Sequence, residues 1–249
     1  MELWDGWIMD YQQNKIAYVT GVSRGIGKAL VNKLLSNGYF VIGIARTNPN
    51  VEHPNFTFVQ LDLSDVEAVK EFKFSYIGKE MLLVHNAGQI GGIKPIGELS
   101  AEEVMDALHV NLGAVLLMTN TFVKEIEGKA SHKHVLAISS GAAQRNIDAW
   151  STYCATKAGL DMYMRCLAQE LIDRNKTGWF VHSIAPGVID TAMQSAIRNA
   201  NESDFLQHQR FVNLKESNSL KSPERTAKQL MNIIENPQNL TLTISRLED

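Results

Sequence analysis

The chain has 249 residues, of which 45% are hydrophobic and 20% charged, which supports a packed core and argues against disorder. Its net charge of −3 supplies no basic field to hold nucleic acid or an anionic membrane. No apolar run approaches the roughly 18 residues that a membrane span needs, so a cytoplasmic enzyme is the expected class.

Residues 1–14 read as an N-terminal tail, in which Trp4, Trp7 and Ile8 lack the basic flank of a secretory signal. From Lys15 onward, strand-like runs alternate with helical stretches. Ile16–Thr20 is a short buried-strand run. A glycine turn follows, then an amphipathic helix through Leu30, Leu34 and Leu35, with Gly38 placed to cap it. Phe40–Ala45 and Phe56–Leu61 read as the second and third strands, Val66 to about Phe74 as a short helix, and Met81–His85 as the fourth strand. Val104, Leu108, Leu112 and Val115 recur at helical spacing and predict one long helix from about Ala101 to Glu127.

Val135–Ser139 is the fifth strand, Ser151–Asp173 a second long helix, and Trp179–Ile184 the sixth strand. Pro223–Glu235 reads as the last helix, with proline in its first turn, and Leu240–Ile244 as the final strand. The strand runs are continuously apolar rather than alternating, the mark of strands covered on both faces. Repeated β-α units of this kind predict an α/β fold: a single doubly wound Rossmann domain over 15–249, its parallel seven-stranded sheet flanked by helices. Cys154 and Cys166 stand twelve positions apart on one predicted helix, about 18 Å at the usual rise, so both are expected as free thiols.

The turn after the first strand carries Gly21, Ser23, Arg24, Gly25, Ile26 and Gly27 immediately before a helix. Glycines there let the backbone approach a pyrophosphate whose charge then rests on the helix N-terminus. Alone, such a turn is equally consistent with an ordinary strand-to-helix connection. An acid at the tip of the second strand would mark NAD by holding the ribose hydroxyls, but Arg46 stands there instead. With Arg24 in the turn, it favours NADP(H), because guanidinium forks suit a 2′-phosphate. Asp62, followed by Leu63, is placed to meet the adenine edge.

Tyr153 and Lys157 share one helix face four residues apart. A phenol near an ammonium and near an oxidised nicotinamide is helped toward its anion, which fits Tyr153 to exchange a proton. Ser140, at the end of the fifth strand, can donate to a carbonyl oxygen on which charge builds. The glycine turn with Thr20, Asn86-Ala87-Gly88, Asn111, Ser140, Tyr153 with Lys157, and Pro186-Gly187 together resemble the short-chain dehydrogenase/reductase family, from Lys15 to the C-terminus. That resemblance implies Tyr153 as acid/base, Ser140 orienting the carbonyl, Lys157 on the nicotinamide ribose and Asn111 anchoring a water for proton relay. It also implies that Pro186, Gly187, Val188, Ile189 and Thr191 hold the nicotinamide carboxamide, and that about 190–222 forms a substrate lid. His85 replaces the asparagine common before Asn86; a histidine packed in the core is the expected reading.

Within the family, the segments around Trp150 and Ala185–Gln194 are similar to sepiapterin reductases, and Arg210–Pro223 to bacterial benzil reductases. Trp150 and Met193 are the expected substrate contacts. The lid's Met193, Ile197, Phe205, Leu206, Phe211 and Leu214 predict an apolar cover with few charges, suited to a neutral aromatic ketone or 1,2-diketone. A pterin substrate is the alternative, although Ser245 aligns where pterin reductases carry an anchoring aspartate. A non-catalytic NADPH-binding sensor is the alternative of another class. The family pattern implies a homodimer or homotetramer through the two long helices, a small-molecule carbonyl partner, and no metal.

Overall fold

The computed structural model describes residues 14–248. The expected tail lies outside the described residues except for Asn14, whose carbonyl accepts from Glu80 N at 2.7 Å. The chain runs β1 (Lys15–Thr20), α1 (Gly25–Ser36), β2 (Phe40–Ala45), β3 (Phe56–Gln60), α2 (Val66–Glu71) and β4 (Glu80–His85). It continues through α3 (Ala101–Leu108), α4 (Ala114–Ile126), β5 (His132–Ile138), α5 (Ser151–Asp173) and β6 (Trp179–Ala185). The last elements are α6 (Ala192–Arg198), α7 (His208–Glu216), α8 (Pro223–Glu235) and β7 (Ile244–Arg246).

The strands form one seven-stranded sheet in the order β3-β2-β1-β4-β5-β6-β7. Every neighbouring pair is parallel. Strand side chains alternate between two apolar layers, as the two-residue period requires. Ile16, Tyr18, Leu83 and Val135 face α4 and α5, meeting Met118, Phe122, Leu160 and Met164. Ala17, Val19, Val84 and Leu136 face the other way, onto Leu30 and Leu34 of α1 and Leu230 and Ile234 of α8. The chain starts at β1, winds out to β3, then crosses back to β4 on the other side of β1. That reversal opens a crevice at the carboxyl ends of the strands, where ligands settle in sheets of this kind.

The structure corrects several expected boundaries. The helix expected from Ala101 to Glu127 is interrupted by a π turn at His109–Gly113 between α3 and α4. Hydrophobic spacing does not reveal it, because the apolar stripe continues across the turn. The short helix stops at Glu71 because Phe72 and Phe74 leave it to pack edge-on against Tyr18. The final strand is Ile244–Arg246, not Leu240–Ile244. A tight turn at Pro237–Asn239 delivers the chain late: Leu242 points outward, and sheet pairing to β6 begins only as Ser183 N donates to Thr243 O at 2.7 Å. β5 ends at Ile138, so Ser139 and Ser140 emerge just past the sheet's edge.

His85 is a core histidine, as expected: it is buried, and its Nε2 meets Thr119 Oγ1 at 2.8 Å. Among the described residues, no helix is long and apolar enough to cross a membrane.

Candidate active site

The crevice begins at the turn between β1 and α1. Gly21 adopts φ +74°, and a Cβ there would stand 2.8 Å from Ala87 Cα. A Cβ on Gly27 would run into Gly21 O and Asn86 Nδ2. Both positions therefore demand glycine for packing alone. The turn is clamped from β4: Asn86 Nδ2 donates to Thr20 O and Gly21 O, both at 3.0 Å, and Thr20 Oγ1 accepts from Asn86 N and Ala87 N at 3.1 Å. The separate Thr-Gly and Asn-Ala-Gly motifs of the sequence thus build one local structure. The Asn86 side chain is spent on the turn, so its influence on a ligand is indirect.

Arg24 precedes α1, whose first residues, Gly25 and Ile26, line the crevice and carry backbone N–H groups that no helix carbonyl can satisfy. Arg46 lies just past β2, and Asp62 and Leu63 just past β3. Arg46 Nη1 stands 3.9 Å from Asp62 Oδ2, and both groups are largely exposed. Burial opposes ionisation of Asp62, but hydrogen bonds from Ser64 and the Arg46 charge outweigh it and hold the carboxyl below its ordinary range. Two guanidiniums and one carboxylate at this end can hold a phosphate and the edge of a base together.

At the other end, Ser140 follows β5 and its Oγ accepts from Ala142 N at 3.1 Å. Tyr153 lies in the first turn of α5, buried, with Lys157 one turn further on. Lys157 Nζ donates to Ile138 O at 2.8 Å and stands 5.8 Å from the Tyr153 ring centre. Burial pushes the Tyr153 phenol up to about 12, against a hydrogen bond with Ser140 that pulls it down. The expected lowering by Lys157 is not found: its ammonium is turned to Ile138 O, and the resting phenol keeps its proton. Burial draws Lys157 down to about 8, opposed by the Asp161 carboxylate.

Asn111 lies in the π turn, where the helix hydrogen bond shifts from i+4 to i+5. Both of its donor hydrogens are used: Nδ2 donates to Gln89 O at 2.8 Å and Thr156 Oγ1 at 3.2 Å, while Oδ1 accepts from Gln89 N at 2.8 Å.

Pro186, Gly187, Val188, Ile189 and Thr191 follow β6 along the same wall. A bridge between Ile189 and Lys221 closes the base of the expected lid, with Lys221 N donating to Val188 O at 3.0 Å and Asp190 N to Lys221 O at 2.9 Å. The segment between, carrying α6 and α7, packs an aromatic cluster over Tyr153. Trp150 meets Tyr153 edge-on at 5.7 Å, stacks on Phe205 at 5.6 Å and tilts against Phe211 at 5.3 Å. Ile147, Ile197 and partly buried Met193 complete it. Leu206 does not belong to this cover: it is 83% exposed, and Asp148 Oδ2 accepts from its backbone N at 2.9 Å.

One cavity of about 550 Å³ joins both ends. The sequence-predicted site residues line it, apart from Gly27, which packs beneath the turn, and Asn111, which is buried behind the wall. The expectation of few charges is corrected. Arg145, Arg210 and Arg246 also line the cavity. Arg145 sits in an irregular loop and Arg246 in the last strand, both far from any motif, and Arg210 opens the benzil reductase-like stretch without any sign that it faces the cavity.

A model of the short chain dehydrogenases matches residues 15–202. The chain belongs to the short-chain dehydrogenase/reductase family. It is 36% identical over 236 residues to "Benzil reductase ((S)-benzoin forming)" of Bacillus cereus, spanning 87% of this chain and 92% of that protein. The enzyme of the same name from Bacillus subtilis (strain 168) is 36% identical over 224 residues, again covering 87% and 92%. The crystal structure of the KRED1-Pglu enzyme superposes with TM-score 0.77 and 29% identity, over 88% of this chain and 94% of that one. As a short-chain dehydrogenase/reductase the chain is an oxidoreductase that takes a nicotinamide cofactor, and its likeness to bacterial benzil reductases extends over most of its length.

Proposed function

We propose that the chain is an NADPH-dependent reductase of aromatic ketones, with 1,2-diketones as fitting substrates. The observation that carries this reading is the convergence of Ser140, Tyr153 and Lys157 beneath the Trp150–Phe211 wall, at one end of a cavity whose other end offers Arg24 and Arg46. Bound NADPH supplies the hydride. Ser140 Oγ donates to the carbonyl oxygen, and Tyr153, protonated at rest because it is buried, delivers its proton as negative charge develops there. Lys157 holds the ribose hydroxyls and steadies the phenolate left behind. Asn111, held in the π turn by Gln89 and Thr156, anchors a water for proton relay behind Lys157.

Gly21, Ser23, Gly25 and Ile26 carry the pyrophosphate at the start of α1, and Asp62 and Leu63 border the adenine. Arg24 and Arg46 select the 2′-phosphate, since no acid stands at the tip of β2 to favour NADH. The aromatic wall and the benzil reductase relatives support an aryl substrate, with Trp150 and Met193 beside it. A pterin is disfavoured: Arg246, next to Ser245 in β7, is the side chain that lines the cavity, and it is a cation rather than an anchoring carboxylate.

The enzyme is read as cytoplasmic, with Cys154 and Cys166 as free thiols, and as one domain over 15–249 with its lid at about 190–222. It assembles as a homodimer or homotetramer through α3, α4 and α5, whose exposed Met105 and Met162 suit burial. Sedimentation as a monomer at micromolar concentration removes the assembly.

The test is NADPH oxidation with benzil, sepiapterin and a simple aldehyde. Benzil is expected to exceed sepiapterin at least tenfold in kcat/KM, roughly 1.4 kcal/mol or more. The reverse order overturns the diketone reading, and NADPH binding without turnover on any carbonyl restores the sensor.

A further inference from the structure

The three arginines at the substrate end have no use in reducing a neutral ketone. Arg145 lies closest to the chemistry. Its guanidinium is folded over Gly141, the residue after Ser140, with Nη2 3.7 Å from where a Cβ on that glycine would stand. It is exposed on its other side, and among the described residues no carboxylate lies within ion-pairing distance of it. Arg210 reaches in from α7, its Cζ 5.7 Å from the Phe211 ring centre and its Nη1 donating to Gln207 Oε1 at 2.9 Å. Arg246 stands in β7 opposite Ala185, the residue that opens the nicotinamide loop. Among the described residues, the carboxylate lining this cavity is Asp62, which lies at the far end beside Arg46. The substrate end is therefore a cationic rim around an aromatic floor, with nothing of its own to neutralise it.

We infer that this end recognises a carboxylate next to the reacting carbonyl, so that aryl 2-oxo acids are substrates, with Arg145 as the principal anion contact. The inference rests on the carbonyl-reductase reading and narrows its substrate class. A 2-oxo acid has the same planar two-carbon unit as a 1,2-diketone, with a carboxylate in place of the second carbonyl. An arginine beside that position gives a neutral carbonyl oxygen a charge–dipole hydrogen bond, but pairs with a carboxylate as two full charges through a two-pronged fork. The aryl group rests on Trp150 and Phe211. The chemistry is unchanged: the keto carbon takes the hydride, its oxygen takes the Tyr153 proton, and the carboxylate is a spectator. Arg210, carried by the lid, brings a second cation over the bound anion.

The test compares phenylglyoxylate with its methyl ester, which keeps the ring and the keto group but removes the charge. Wild-type enzyme is expected to prefer the acid at least tenfold in kcat/KM, mostly through KM, and the preference should shrink as salt is raised. In Arg145→Gln the acid-to-ester ratio should collapse to about one, and Arg145→Lys, which keeps the charge but not the fork, should restore part of it. Equal or ester-favouring wild-type turnover overturns the inference, as does an Arg145→Gln variant that loses both substrates in the same proportion. No turnover with either compound or with benzil overturns the reductase reading itself, which is a distinct result.

Discussion

The two ends of the cavity are both lined by arginine, yet they are built in opposite ways. The end proposed for adenosine is assembled from the first residues after β1, β2 and β3, each at a short fixed distance from its strand, with Arg24, Arg46 and Asp62 as its charges. The substrate end gathers Arg145 from a loop, Trp150 and Tyr153 from the start of α5, Phe211 from the lid and Arg246 from the last strand. Adjoining strands confine the first end, so it recurs with the fold. The second depends on a long excursion of chain, which is where a family can change substrate without disturbing its cofactor.

The largest effect should separate the two ends outright. Tyr153→Phe keeps the ring that packs edge-on against Trp150 and removes only the hydroxyl. Turnover is expected to fall by about 10²–10⁴, while NADPH binding followed by fluorescence stays near wild type. A variant with near-normal kcat removes Tyr153 from the acid role and leaves the substrate end without its chemistry.

The complementary change acts at the adenosine end. Arg46→Glu removes a guanidinium and places an acid where NAD-dependent folds carry one. A charge-assisted hydrogen bond contributes about 1.5–3 kcal/mol, so NADPH preference over NADH should drop by roughly 10- to 150-fold. Substrate ratios measured at saturating cofactor should hold. A wild-type enzyme that already prefers NADH contradicts the assignment.

How much of each end was legible follows the same division. The glycine turn, Asn86-Ala87-Gly88, Ser140 and the Tyr153–Lys157 pair occupy fixed offsets from strands and helix starts, and the structure places each at the cavity or directly behind it. Asn111 was visible as a motif residue, but the π turn that holds it was not, because a one-residue shift in hydrogen bonding leaves the apolar stripe intact. Leu240–Ile244 reads as a strand from its apolar and β-branched residues, although it alternates where the other strands run continuously apolar. What set the true strand was the Pro237–Asn239 turn and where it released the chain. Arg145 and Arg246 carry no pattern at all, and the family-like stretch that Arg210 opens does not say which way it faces. A lone arginine in a loop, a lid or an edge strand reads as solvated surface until the fold sets it on the cavity.

Beneath the seam between the two ends lies His85, buried directly before Asn86 and bonded to Thr119. Burial, then the charge of Lys157, holds its imidazole down at about 3, and burial followed by His182 does the same to His134 on β5. Between about 3 and the ordinary 6.5, the unfolded chain takes protons on these rings that the folded chain refuses. Stability is therefore lost as pH falls below about 6.5, by up to about 1.4 kcal/mol per pH unit for each ring. Thermal melting from pH 7 to 4 measures it. His85→Gln, which keeps a polar partner for Thr119 but cannot titrate, should flatten that slope, and an unchanged slope shows that His85 is not one of the groups responsible.

The smallest expected effect lies within the lid and tests which of its apolar residues face the substrate. Phe205 and Leu206 are neighbours that the sequence assigned together to the cover, yet Phe205 is fully buried on Trp150 while Leu206 is 83% exposed. What holds residue 206 is its backbone N–H on Asp148, a bond that any side chain except proline preserves. Leu206→Ser should therefore change stability by no more than about 0.5 kcal/mol and leave the KM for benzil within roughly twofold. Phe205→Ala, by contrast, opens a cavity behind Trp150 and should raise that KM by loosening the wall against which the aryl group rests. If Leu206→Ser raises the KM as much as Phe205→Ala does, the lid closes further over bound substrate and turns Leu206 inward, and the substrate end is then a surface completed only by its ligand.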